Sequence, residues 1–334
     1  MNHVHLVIPD LFLPKNFAAD TLASSHLPAL AKLLARGIVT RVGNPISLEA
    51  SLSKLFGQID AEYAPIAAIG ATYDGLPQGN WLRADPINLR LQRDQMVLSA
   101  VSPSAEEARQ FCSSLNAYFA GQGMEFFAPH PLRWYLRLDK SLGIQTTPLP
   151  ELFGCNIRSV LPTGLDATHW HQVFNEIQML LYAHPINAAR EARGESPINS
   201  VWFWGEGDAN QALRCDFQQV NSDDELVKMF AVATDTRFTE WSPHWCGADG
   251  TQLLVWAGLR SAMQRGDLAV WRDALSAFEI GYAQPLWQAL QSGKIAQINL
   301  EVLAGNNSRC FKLTRSATWS FWRRSKPLAY YSMM

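Results

Sequence analysis

The chain has 334 residues, 48% of them hydrophobic and 17% charged, with a formal charge of −2. Such a composition describes a globular protein with apolar surface enough for one large domain carrying an insertion, or for two domains. It argues against a nucleic-acid or anionic-membrane surface built on bulk charge, and no apolar run reaches the length of a membrane span.

The chain opens directly on a compact apolar strand, Val4 to Ile8, followed at once by Pro9-Asp10. No charged leader or cleavage site precedes it, so a cytoplasmic location is expected. Leu27 to Ala35 reads as a helix closed by Arg36-Gly37, and Leu48 to Phe56 as a second helix stopped by Gly57. Ile66 to Gly70 reads as a buried strand running into a turn-prone stretch, Ala71 to Asn80. Strands alternating with helices predict a parallel sheet.

The pattern then changes. Ile87 to Leu91 and Gln95 to Leu98 flank Gln92 to Asp94 as a hairpin, and Ser104 to Phe119 reads as an amphipathic helix with Ser104 and Glu107 forming a capping box. Met124 to Ala128 and Trp134 to Leu138 add two strands. Together they predict a small α+β module inserted at residues 81–140 of an α/β core made of residues 1–80 and 141–334. Beyond the module, alternation resumes with Asp166 to Ala183, Val201 to Trp204, Leu253 to Trp256, Trp271 to Leu290 and Ile298 to Val302.

The most specific stretch is His184 to Gly207, HPINAAREARGESPINSVWFWGEG. Pro185 stops the preceding helix, and Asn187, Arg190 and Arg193 mark a short helical turn that Gly194 can close. Ser200 to Trp204 is a bulky run suited to a strand buried on both faces, and Gly205 and Gly207 permit a sharp turn at its C-terminal end. Ligands bind at that end of open α/β sheets. Asn187, Arg190, Trp204 and Gly205 are therefore candidate ligand-binding residues, with satisfaction of buried carbonyls the favoured reading of Asn187 and Arg190.

This segment resembles one in the archaeal-type, cofactor-independent phosphoglycerate mutases of the alkaline phosphatase superfamily, in which a cap module is also inserted in the first half of the chain. With its central Asn175-Glu176-Ile177-Gln178-Met179 and its C-terminal Phe321-Trp322-Arg323-Arg324, the whole chain is still more similar to a bacterial family described as regulatory proteins of the pathogenicity-factor type. The resemblance implies an alkaline phosphatase-like α/β sheet with helices on both faces and an inserted cap. It also implies two divalent metals, Mn or Zn, that activate a Ser or Thr nucleophile.

The ligands such chemistry needs are mostly replaced. Asp10 matches the first metal ligand, although Asp after a strand is also a common turn former. Ser47 and Ser51 are the nucleophile candidates, and Ser47 equally suits the N-cap of the helix that follows. Trp256 stands where the family has a His after a strand, and Arg260, Ser261, Gln264 and Arg265 occupy the region of its Asp and second His. Asn306-Asn307 correspond to an Asp-His pair, and Trp204 to an Arg before the glycine. Amides are poor ligands for these cations.

His169 and His171 would splay by about 200° on a helix. His244, Cys246 and Asp249 share one loop, which supplies too few ligands alone. The five scattered cysteines form no CxxC and read as reduced thiols. No GxGxxG, P-loop, GxSxG or HExxH is present.

The expectation is a phosphoglycerate mutase-like protein with a degenerate metal site, no cofactor, and a regulatory or ligand-binding role. Its partner would be a small phosphorylated ligand or a protein, with no nucleic acid and no membrane. The alternative is an active metal-dependent phosphomutase or phosphatase holding Mn or Zn. A third reading is a protein-binding subunit that uses Trp319, Trp322 and Arg323-Arg324.

Overall fold

A computed structural model of the chain describes residues 2–13, 26–41, 47–57, 65–140, 143–153, 155–206, 213–247, 249–304 and 308–333. In chain order, β1 (His3–Pro9), α1 (Pro28–Arg36), β2 (Ile38–Arg41) and α2 (Leu48–Leu55) come first. A middle stretch holds α3 (Ile66–Tyr73), β3 (Asn80–Gln92), β4 (Gln95–Ser99), α4 (Ala105–Tyr118), β5 (Met124–His130), β6 (Arg133–Leu138), β7 (Ile144–Gln145), β8 (Thr163–Gly164), α5 (Ala167–Tyr182), α6 (Pro185–Ala192) and β9 (Ser200–Trp204). The last third holds β10 (Gln219–Ser222), α7 (Glu225–Ala233), β11 (Arg237–Glu240), β12 (Thr251–Val255), α8 (Arg260–Arg265), α9 (Leu268–Phe278), α10 (Gln284–Ser292), β13 (Gln297–Leu303), β14 (Arg309–Thr314) and α11 (Leu328–Met333).

These elements form two compact units, residues 1–57 with 213–334, and residues 58–212. The first is built on a seven-stranded sheet in the order β11-β10-β12-β1-β13-β14-β2. Its first five strands run parallel, and β14 is antiparallel to both of its neighbours.

Helices cover both faces of this sheet. Val4, Leu6 and Ile8 of β1 share a core with Leu30 and Leu33 of α1, Trp271 and Leu275 of α9, and Leu286 and Leu290 of α10. Strand side chains alternate, so His5 and Glu301 point the other way. There His5 Nε2 lies 3.1 Å from Glu301 Oε2, and Ser51 of α2 donates to Glu301 Oε1 at 2.9 Å.

The second unit is larger than the module expected at residues 81–140. The long strand β3 pairs antiparallel with β4, β6 and β9 along successive parts of its length. The strand Val201 to Trp204 therefore belongs to this antiparallel sheet and not to the parallel one, because β3 offers it a complete pairing edge from Arg83 to Ile87. Its bulky sequence suits burial in either sheet, so periodicity could not decide.

Ile66 to Gly70, expected as a strand, is helix α3. Small residues (Ala67, Ala68, Gly70 and Ala71) let it pack tightly on all sides, and short wholly apolar runs read equally as helix or strand. Trp271 to Leu290, expected as one helix, is interrupted by a π-helical turn at Glu279–Ala283.

That turn has a structural task. Helix α1 starts at Pro28 with Leu27 as its N-cap residue, and no side chain within the turn satisfies its first amides. The buried Glu279 does so from another helix: Ala29 N donates to Oε1 at 2.7 Å and Leu30 N to Oε2 at 2.9 Å. A carboxylate there also meets the positive end of the helix dipole. Glu279→Ala is expected to destabilise the protein by about 2–4 kcal/mol, since it leaves two buried donors without an acceptor. Glu279→Gln, which keeps one acceptor oxygen, should lose less than half of that in urea unfolding.

Candidate functional site

Asp10 and the pair Asp223-Asp224 follow the C-terminal ends of β1 and β10. Asp10 follows β1 with φ of +58°, a conformation that Asp and Asn adopt more readily than most residues. Its N–H donates to Leu303 O at 2.9 Å and its carbonyl accepts from Trp271 Nε1 at 3.1 Å. The backbone is held on both sides.

Opposite it, Arg260 at the start of α8 donates to the buried Glu49 of α2, 3.2 Å from Nη1 to Oε1. Burial alone would lower the basicity of this guanidinium, but Glu49, Asp224 and Asp10 outweigh it and hold Arg260 firmly protonated. Asp10 and Asp224 are in turn raised above the usual carboxylate range, chiefly by burial, with Arg260 opposing the rise. Arg260 thus bonds Glu49 and feels the charges of Asp10 and Asp224 as well.

Asp223 and Asp224 were not singled out in the sequence. The preceding strand Gln219–Ser222 carries one apolar residue, Val220, too few to signal a strand end. The readable signal was Asp224 before Leu226-Val227, an N-cap pattern. Asp224 indeed caps α7, accepting from Leu226 N at 2.8 Å. Asp223 accepts from Ala257 N at 2.7 Å and ties the turn after β12. Its crowded surroundings push its carboxyl up to about 6, an effect that screening reduces because the residue remains exposed by area.

Beside this cluster stands a stack of aromatic rings. Trp256, directly after β12, lies 4.3 Å from Phe278 at 10° between planes, and Trp241 lies 4.0 Å from Tyr282 at 13°. Trp241 and Trp256 are 6.2 Å apart, which joins the two pairs. Tyr282 belongs to the π-helical turn and donates to Ser242 O at 2.9 Å.

The nucleophile candidates are engaged elsewhere. Ser47 is the N-cap of α2, its Oγ accepting from Ala50 N at 3.0 Å. Ser51 is buried and committed to Glu301. Asn306-Asn307 lie outside the described residues. Among the described residues, no group of three or more His, Cys, Asp or Glu side chains could hold a metal ion. Of the acids at this edge, Glu49 is the one bonded to the Arg260 guanidinium.

The other four candidates lie in the second unit. Asn187 Nδ2 donates to Leu181 O at 2.7 Å and Ile198 O at 2.9 Å, and its Oδ1 accepts from Ile198 N at 2.8 Å. Arg190 donates to Glu107 at 2.8 Å and to Ser196 O at 3.0 Å. Trp204 Nε1 donates to Asp85 Oδ2 at 2.8 Å. Gly205 has φ of +75°, and a Cβ there would sit 3.0 Å from Ile66 Cβ, while its carbonyl accepts from Ala67 N. Each of these groups holds the fold at its own position. His169 and His171 lie on α5, where they splay apart.

No family model matches the chain. Two curated relatives are 2,3-bisphosphoglycerate-independent phosphoglycerate mutases. That of Methanosarcina barkeri is 32% identical over 113 residues, which is 33% of this chain and 28% of the relative. That of Methanosarcina acetivorans is 26% identical over 202 residues, 57% of this chain and 48% of the relative. The matched stretches thus cover less than half of these relatives' lengths. Among solved structures, the PH0037 protein from Pyrococcus horikoshii superposes with a TM-score of 0.52 at 13% identity, covering 93% of this chain and 87% of that one. The chain is phosphoglycerate mutase-like over part of its sequence, and it shares a mixed α/β fold with the Pyrococcus protein.

Replacing Arg260 with Leu should expose the charge balance of the site. An uncompensated buried charge costs about 3–5 kcal/mol. The raised Asp10 and Asp224 carboxyls contribute stability at low pH that is lost as pH rises through their folded values, and removing Arg260 deepens that loss. The variant is expected to lose about 3–5 kcal/mol at pH 8 and clearly less at pH 5 in urea unfolding, with Arg260→Lys intermediate.

Proposed function

We propose that this chain uses a phosphoglycerate mutase-like scaffold for binding or regulation and not for phosphoryl transfer. The observation that carries the reading is Arg260, whose guanidinium is bonded to the buried Glu49 and feels the charges of Asp10 and Asp224 at the C-terminal edge of the parallel strands. In the family it resembles, metal ligands occupy this edge. A guanidinium neutralises clustered carboxylates as a metal would, but it has no open coordination position and lowers no bound water's pKa. Trp256, in place of the expected His, adds an indole whose nitrogen donates only and cannot ligate.

The role left to the site is recognition, of a small phosphorylated ligand or of a protein partner, as a regulatory component. The test is turnover and metal content together. Purified protein, supplied with Mn²⁺ or Zn²⁺, is expected to interconvert no phosphoglycerates, to release no phosphate from p-nitrophenyl phosphate, and to retain no stoichiometric metal by elemental analysis. Metal-dependent turnover that disappears in Asp10→Ala would overturn the reading in favour of an active phosphoryl-transfer enzyme. A phosphoglycerate-induced rise in Tm without divalent metal would identify the small-ligand form of the proposal.

A further inference from the structure

The charge of −2 conceals a strong asymmetry. Glu301 is the last acidic residue; the chain after it carries six Lys and Arg and no Asp or Glu, and residues 1–301 therefore carry −8. In the same C-terminal stretch, Trp319, Phe321 and Trp322 are 71%, 79% and 68% exposed. Isolated exposed apolar residues need no explanation, but three large aromatic rings within four residues do.

The exposure does not come from a loose loop. Phe321 N donates to Trp319 O at 2.8 Å and Arg323 N to Ser320 O at 3.0 Å, closing a turn. Arg323 Nη1 donates to Arg36 O and Gly37 O, each at 3.3 Å, and Arg36 Nη1 donates back to Thr318 O. The end of α1 thus clamps the turn on both sides and holds its rings outward. Alongside runs a groove of about 480 Å³ whose lining includes Ile38, Val39, Arg323, Arg324, Lys326 and Tyr330. Ile38 and Val39 belong to β2, the outermost strand of the seven-stranded sheet, and are 65% and 49% exposed.

We infer that this face is a peripheral docking surface for an anionic bilayer, in which Trp319, Phe321 and Trp322 enter the headgroup region and Arg324 and Lys326 meet acidic lipid. Tryptophan and phenylalanine rings favour the membrane–water interface, and flanking cations add attraction to anionic lipid. A second copy docking through the same face would set these cations against their own kind. An acidic protein would pair the cations but would need a socket for three projecting rings, whereas a bilayer accepts them without one. No helix among the described residues is long and apolar enough to cross a membrane, so the contact is one of surface anchoring. The sequence-based expectation of no membrane rested on bulk charge and on the lack of a spanning apolar run, and neither weighs this face.

The experiment is flotation of the full chain with vesicles of phosphatidylcholine alone or with about one third phosphatidylserine, with tryptophan emission followed in parallel. The chain is expected to float with the anionic vesicles only, with a blue-shifted emission, and to be released by salt. Phe321→Ser with Trp322→Ser should weaken partition by more than about tenfold. Arg324→Ala should weaken it about fivefold. Tyr182→Ser, at an exposed aromatic elsewhere, should leave it unchanged. All variants are expected to keep the far-UV circular dichroism and Tm of the parent, since the replaced side chains are exposed. Absence of partition into anionic vesicles, or partition indifferent to the aromatic and arginine changes, overturns the inference. Binding to polyglutamate without vesicle partition also overturns it and assigns the face to an acidic protein partner.

Discussion

The first unit depends on how carboxylates are neutralised at the ends of its parallel strands. Asp10 and Asp224 follow β1 and β10, and Glu49 sits on the first turn of the helix that covers the same edge. Carboxyl groups crowded into a half-buried space either hold protons or need a nearby cation. Here Arg260 supplies the cation, bonded to Glu49, while burial still holds Asp10 and Asp224 above the usual carboxylate range.

The π-helical turn at Glu279–Ala283 connects this edge to the rest of the fold. Its first residue, Glu279, caps α1 from a distance, and Phe278 and Tyr282 on either side of it stack against Trp256 and Trp241. Gly281 admits the close approach of Pro243 O, which a Cβ would meet at 2.1 Å, and its carbonyl accepts from Trp245 N. A regular α-helix would shift these residues by one position relative to one another. The inserted residue lets one helix satisfy a buried helix end and an aromatic wall at once, which accounts for an otherwise costly distortion.

The three central strands of the first unit's sheet were legible because they are continuous apolar runs, as in Val4 to Ile8 and Leu253 to Val255. What escaped were elements whose identity depends on a neighbour. Gln219–Ser222 has a single apolar side chain and becomes a strand through pairing with β11 and β12. Ile66 to Gly70 has no periodicity of its own, and its geometry follows from the bond of Ala67 N to Gly205 O and from packing against Tyr135. The site was half legible for the same reason. Asp10 follows a clear strand, and Arg260, Ser261, Gln264 and Arg265 could be seen to occupy the region of an expected Asp and His. That Glu49 would be the partner of Arg260 depended on two helix starts converging, which no local pattern encodes.

Trp204 extends this logic to the second unit. Beside the resemblance it looks like the loss of a phosphate-binding arginine. In place, it donates to Asp85, which is 3% exposed and already holds Arg83 through Nε and Nη2 at 2.8–3.0 Å. Arg83 lies between the rings of Trp204 and Tyr135, 5.2 Å from each centroid. One buried carboxylate can balance one guanidinium; an arginine at position 204 would add a second positive charge with no further acid beside it among the side chains that hold Asp85. An indole provides the missing donor without the charge and covers the cation with its face. The tryptophan is therefore the residue that an internally neutral Arg83–Asp85 pair requires, and an arginine free to reach a phosphate at that position would need Asp85 to be satisfied some other way.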